Sequence, residues 1–219
     1  MIYLIWDFPY KEEIMKKVKL AALIFAAGFL LNGCSGASRG GFQPVENSIY
    51  VASDGSVSTA TIETVQGEQY TEEALLAFAE QEVAAFNEKM GSSARARNEE
   101  GQEKLPAAVQ SCTIADGKAV MILDYADPQY AVAFSEEHGN PVTALTVSPV
   151  SGDLPELKKT DGSPADQEEA VKSGGVMIQT EGAVTLQTDG RIRYITDGVT
   201  VVDERTVRTP ESASAVIFK

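Results

Sequence analysis

Five Asp-Gly pairs punctuate this chain, at Asp54-Gly55, Asp116-Gly117, Asp161-Gly162, Asp189-Gly190 and Asp197-Gly198. No other feature limits the fold so tightly. Asp-Gly tolerates the positive φ angles that a two-residue hairpin turn requires, and several of these pairs sit between short β-type runs. Ile49-Tyr50-Val51 and Val57 to Val65 flank the first pair. Ala108 to Ile114 and Ala119 to Tyr125 flank the second, the clearest hairpin in the chain. Val176 to Gln179, Val184 to Leu186, Arg191 to Ile195 and Val199 to Val202 predict a C-terminal meander, turning at Glu181-Gly182 and the last two Asp-Gly pairs. Ala215 to Phe218 would close the sheet. The expectation is antiparallel architecture.

Helical signals interrupt the strands. Leu75, Leu76, Phe78, Ala79, Val83, Phe86 and Met90 recur at three- and four-residue spacing, which predicts a helix over about 71–90. Thr71 is placed to cap it, Glu72 and Glu73 suit its positive end, and Gly91 ends it. A shorter helix is expected from Asp127-Pro128 to Gly139. A third is expected over 164–172, with Ser163 and Asp166 spaced as a capping box. The fold class read from this pattern is α+β: a hairpin-rich, mostly antiparallel sheet covered by one long helix and one or two short ones.

The N-terminal fifth has a different character. Lys16, Lys17 and Lys19 precede an uninterrupted apolar run, Leu20 to Leu31, and Leu31-Asn32-Gly33-Cys34 follows. A helix over that run reaches ~18 Å at ~1.5 Å per residue, well short of the ~30 Å hydrocarbon core, so it reads as a signal-peptide h-region. The lysines before it are expected on the cytoplasmic side. These residues resemble a bacterial lipoprotein (type II) signal peptide. The resemblance implies that the Cys34 thiol takes a diacylglyceryl group, that cleavage falls before it, and that the new amine is acylated. Asn32 departs from the usual Ser, Ala or Thr at its position. Two or more acyl chains anchor stably where one is marginal. Residues 1–14 carry Asp7, Glu12 and Glu13 where a signal peptide wants only positive charge, so Met15 is the expected start and 1–14 a non-native extension. The expected organisation is then a signal peptide over 15–33, a lipidated, Gly/Ser-rich flexible tether over 34–47, and a single α+β extracytoplasmic domain over 48–219.

Cleavage before Cys34 removes 33 of 219 residues and leaves 186. It removes four of 18 Lys/Arg and three of 32 Asp/Glu, leaving 14 against 29 and a formal charge of −15. Such a chain repels phosphates, so no nucleic-acid partner is expected. With Cys34 acylated, Cys112 has no partner for an intrachain disulfide. Its β-like setting, VQSCTI, reads as a small buried hydrophobe rather than a nucleophile.

His138 is the only histidine, which excludes multi-His metal sites. It reads as a helix-terminal cation. There is no GxSxG, Ser-x-x-Lys, CxxC, GxGxxG or phosphate loop, and no stretch has EF-hand spacing, so no cofactor and no metal are expected. Asp124 ends the apolar run Val120 to Leu123; it marks either a polar pocket or, more simply, an exposed strand end. Arg191 and Arg193 alternate onto one strand face, a candidate anion grip. A solvated sheet face explains them equally. The mature chain has no Trp, so ring stacking on sugars gets no support. Tyr50, Tyr70 and Tyr130 remain candidates for a protein interface.

From Ser48 to Lys219 the chain resembles uncharacterised small lipoproteins of Gram-positive bacteria, through IYVASDG, TEEALLAFAEQEVAAFN, SCTIADGKAVMILDYAD and RIRYITDGVTVVD. Over residues 48–135 the order of strand-DG-strand, helix and LPAAVQS-strand-DG-strand is also similar to the GerM-type module of sporulation and germination lipoproteins. These motifs are structural, and the resemblance implies no activity. The expected function class is a non-enzymatic binding or assembly module at the cell envelope, held to the membrane through Cys34 and facing an envelope protein partner. The alternative is a surface hydrolase, for which His138, Cys112 and Asp124 would have to share one cleft. A receptor for an importer is disfavoured, because the strands read antiparallel and the chain is short for two α/β lobes.

Overall fold

The clearest hairpin forms as its turn residues dictate. Strands β3 (Ala107–Ala115) and β4 (Lys118–Tyr125) pair antiparallel, Ala115 opposite Lys118. Asp116 and Gly117 turn the chain at φ 51° and 72°. This computed structural model describes residues 42–67, 70–137 and 142–219. Strands β1 (Ser48–Val51) and β2 (Val57–Thr64) make the other expected hairpin, around Asp54-Gly55. The long helix α1 (Glu72–Lys89) starts at Thr71, whose hydroxyl accepts from the Ala74 N–H at 3.2 Å. It ends where Gly91 turns left-handed at φ 79°.

Two further helices follow, α2 (Pro128–Glu137) and α3 (Gln167–Lys172). The cap of α3 is Asp166, which accepts from the Glu169 N–H at 2.8 Å. The expected start at Pro164 with Ser163 as cap is corrected accordingly. Ser163 instead gives its N–H and hydroxyl to Asp161 Oδ1, which closes the Asp161-Gly162 turn and leaves no hydroxyl for the helix.

The remaining strands are β5 (Ala144–Pro149), β6 (Lys158–Lys159), β7 (Val176–Glu181), β8 (Thr185–Thr188), β9 (Ile192–Ile195), β10 (Thr200–Val201), β11 (Thr206–Arg208) and β12 (Ser214–Phe218). The class is α+β, with two mostly antiparallel sheets rather than one. The larger has the order β10-β11-β8-β1-β2-β4-β3 and the smaller β5-β7-β12-β9-β6. The expected C-terminal meander does not form. β7, β8, β9 and β10 fall alternately in the smaller and larger sheets, so the turns at Gly182, Gly190 and Gly198 carry the chain between sheets. β8 pairs with β1 in parallel, Ser48 opposite Thr185, the one parallel contact between the named strands. Its partner is supplied by burial, since Leu186 and Ile49 both enter the core.

Alternation along the strands separates three apolar clusters. Ile49, Val51, Val57, Leu123, Leu186 and Val207 of the larger sheet meet Ile178, Ile192, Val216 and Phe218 of the smaller one in a common core. Ala79, Val83 and Phe86 of α1 and Phe134 of α2 complete it. Phe134 meets Phe86 edge-on at 5.2 Å. On the far side of the smaller sheet Met177, Tyr194 and Ile217 are covered by Val150, Leu154, Leu157 and Ala170. On the far side of the larger sheet Tyr50 and Ala60 pack with Phe42. Packing therefore includes Phe42, six residues before the expected domain start at Ser48. Phe42 is 4% exposed, and a buried aromatic ring stabilises by roughly 1.5–3 kcal/mol.

Candidate functional site

The outer face of the larger sheet, crossed by residues 42–47, is the most elaborated polar surface among the described residues. Register lines up two rows there. Thr206, Gln187, Tyr50, Ser58 and Asp124 form one; Arg208, Thr185, Ser48, Ala60 and Ile122 form the other. Phe42 stacks on Tyr50 with ring centroids 5.0 Å apart at 24°. Glu46 Oε1 accepts from Thr185 Oγ1 at 2.9 Å and from Arg208 Nη2 at 2.8 Å. Asn47 Oδ1 accepts from the Ile62 N–H at 2.7 Å. Residues 42–47 thus form a strap touching four strands, β1, β2, β8 and β11. The Arg208 guanidinium, then the Thr185 hydroxyl, hold the Glu46 carboxyl below its usual range. Val45 points away, 76% exposed. Composition hid this strap, because Phe42 and Glu46 stand at the end of a Gly/Ser-rich stretch.

Asp124 is the next-to-last residue of β4 and is tied to a neighbouring strand. It lies within β4, half-buried on this outer face, and its Oδ1 accepts from Ser58 Oγ at 2.6 Å. Ser58 is 3% exposed, so the pair stitches neighbouring strands and presents no nucleophile. Cys112 faces the other way. It stands opposite Met121 on the inner face and packs against the core. Burial pushes its thiol up to about 11, so it stays protonated at neutral pH. Cys112 and Asp124 are on opposite faces of one sheet and share no cleft. His138 and Cys34 lie outside the described residues.

Arg191 and Arg193 are not held on one regular strand face. Ile192 pairs with Phe218 and Tyr194 with Ile217, so Arg193 is the extra residue of a β-bulge. Arg191 pairs with Glu204 at 3.2 Å, and Arg193 is exposed. The alternation expected of the pair is broken by the bulge, which lets Ile192 enter the common core while Tyr194 joins the outer cluster. Tyr50, a candidate interface residue, is buried under Phe42, and burial raises its hydroxyl's pKa. Tyr130 is half-buried, edge-on to Phe86. Tyr70 stays exposed.

The free edge of the larger sheet is closed by side chains that the sequence did not single out. Asn87, fully buried, gives Nδ2 to the Ala107 and Arg95 carbonyls at 2.8 and 2.7 Å, and its Oδ1 accepts from the Ala107 N–H at 2.9 Å. It pairs with β3 as a neighbouring strand would. The Val109 N–H donates to Ala96 O and the Ile114 N–H to Glu72 Oε1. These N–H groups are thereby withheld from edge pairing with another chain. A shallow cavity of about 280 Å³ lies on the opposite side of the molecule, lined by Gly152, Gln167, Glu168, Val171 and Lys172. Lys172 and Glu168 pair within it. Among the described residues no group of three or more His, Cys, Asp or Glu could hold a metal ion, and no helix is long and apolar enough to cross a membrane.

No protein-family model, curated protein or solved structure matches this chain.

Proposed function

We propose that this chain is an extracytoplasmic lipoprotein, held to the bacterial cell membrane by acyl chains on Cys34, and that its folded domain is a non-enzymatic binding or assembly module of the envelope. The observation that carries the reading is the order lysines, short apolar run, Leu31-Asn32-Gly33-Cys34. Several structural facts support the non-enzymatic part. Cys112 and Asp124 face opposite sides of a sheet. The Cys112 thiol is raised rather than activated. Ser58, the hydroxyl beside Asp124, is out of reach of a substrate. The surface-hydrolase alternative loses its simplest constellation, because two of its three groups cannot share a cleft wherever His138 lies.

Mass spectrometry of the protein purified in mild detergent from its own membranes tests the proposal. The expected result is an N-terminal, acylated Cys34 peptide together with a stoichiometric companion protein. Acylation without a companion would shift weight to small-ligand binding or catalysis. An unmodified Cys34 still joined to upstream sequence would overturn the anchor.

A further inference from the structure

We infer that the strap formed by residues 42–47 fixes the domain on the bilayer, with the outer face of the larger sheet toward the headgroups and the layer over 150–172 away from them. The inference rests on the anchor at Cys34 proposed above and adds the surface that meets the lipid. Chain length decides it. From Cys34 to Phe42 there are eight residue steps, which reach at most ~29 Å in any conformation. Phe42 is buried on the far side of the larger sheet, and Leu154 and Leu157 are buried on the far side of the smaller one, with the common core between. Inverting the domain would put both sheets and the layer over 150–172 between Phe42 and the membrane, about 30 Å at ~10 Å per layer, which even a fully stretched tether does not exceed. Were the strap undocked, the tether would run to Ser48, ~50 Å at full extension, and every orientation would be open.

Strap docking is therefore the element that selects the orientation. It is built for retention, with an aromatic stack, a two-donor carboxylate and a side chain–backbone bond in one short segment. The net acidic surface rules out adhesion to anionic headgroups as the orienting force. The lipid-facing surface is held by covalent reach, and the face carrying the shallow cavity at Gly152 and Val171 is the one presented to other envelope components.

The test uses the full-length acylated protein in phosphatidylcholine vesicles bearing an acceptor dye on a fraction of the headgroups. In a Cys112→Ala background, a donor dye is placed at Thr113→Cys, exposed on the outer face of β3, or at Asp153→Cys in the opposite layer. Transfer from position 113 is expected to exceed transfer from 153 several-fold. The Phe42→Ala/Glu46→Gln double variant, with unchanged circular dichroism, is expected to abolish the difference. Equal transfer in the native strap overturns the orientation while leaving the anchor standing, and a difference that survives the double variant overturns the strap as what fixes it. Failure of the acylated protein to float with the vesicles overturns anchor and orientation together.

Discussion

Asn87 shows how much one side chain can carry here. Its amide makes three hydrogen bonds in a site closed to water. Truncation would strand the Ala107 N–H and two carbonyls without partners. Asn87→Ala is therefore expected to cost about 2–4 kcal/mol, read as a lower urea midpoint at unchanged slope. The helical stripe made Val83 and Phe86 legible as core, but an Asn next to them in sequence reads as a surface residue. Only the approach of β3 to the end of α1 makes it structural. Cys112 is the converse. Its β-like setting suggested a small buried hydrophobe, and the structure half-buries it against the core. Alkylation of the folded protein is expected to be slow at pH 7.5 and to rise toward a midpoint near 11. Denaturant should restore ordinary thiol reactivity at once. Fast alkylation of the folded state at neutral pH would contradict the burial. Cys112 contributes stability below its ordinary pKa that is lost between that value and about 11.

At the scale of elements, hairpins with adjacent partners were legible and longer-range pairings were not. Asp116-Gly117 reads as a hairpin and is one. Asp189-Gly190 has the same two residues and is a corner between sheets. Gly190 is there because Lys219 passes so close that a Cβ would lie 2.5 Å from its carbonyl carbon. Gly175 stands in the same relation to the Phe218 carbonyl oxygen. Gly190→Ala and Gly175→Ala are each expected to cost about 1–3 kcal/mol through displacement of β12. Amide exchange of Val216 and Ile217 should accelerate, and unchanged protection there would sink the explanation. The strap has a pH signature of its own. A carboxyl whose pKa is lowered on folding contributes stability above its ordinary value and loses it as pH falls through the lowered one. Protection of the Ile62 N–H, which donates to Asn47, is expected to persist at neutral pH and to drop below the ordinary glutamate range. Glu46→Gln should remove that acid dependence.

For the whole molecule, one core joins both sheets. β12 ends in Phe218 inside it, and the chain passes repeatedly from one sheet to the other. Neither sheet can lose its inner face without exposing the other's, so unfolding in urea is expected as a single transition. Far-ultraviolet dichroism should coincide with the emission of Tyr125, in the common core, and Tyr194, in the outer cluster. An earlier transition for Tyr194→Phe-sensitive emission alone would mean that the layer over 150–172 melts separately. The surface ion pairs, such as Lys158 with Asp197 and Arg97 with Glu80, are exposed and contribute little in water, so added salt should move the midpoint little.

Periodicity and turn chemistry are local, and what they govern was readable from the residues: the α+β class, the span and cap of α1, and the two Asp-Gly hairpins. Sheet membership is a property of partners distant in sequence. Burial of Leu186 beside Ile49, and of Phe218 beneath Gly175 and Gly190, decided that β8 joins the larger sheet and β9 the smaller. The same long-range contacts set Cys112 and Asp124 on opposite faces, broke the Arg191–Arg193 alternation with a bulge, and turned the end of an apparent tether into a strap. Each depends on which apolar surface finds cover, and that is settled only when the whole chain has closed around one core.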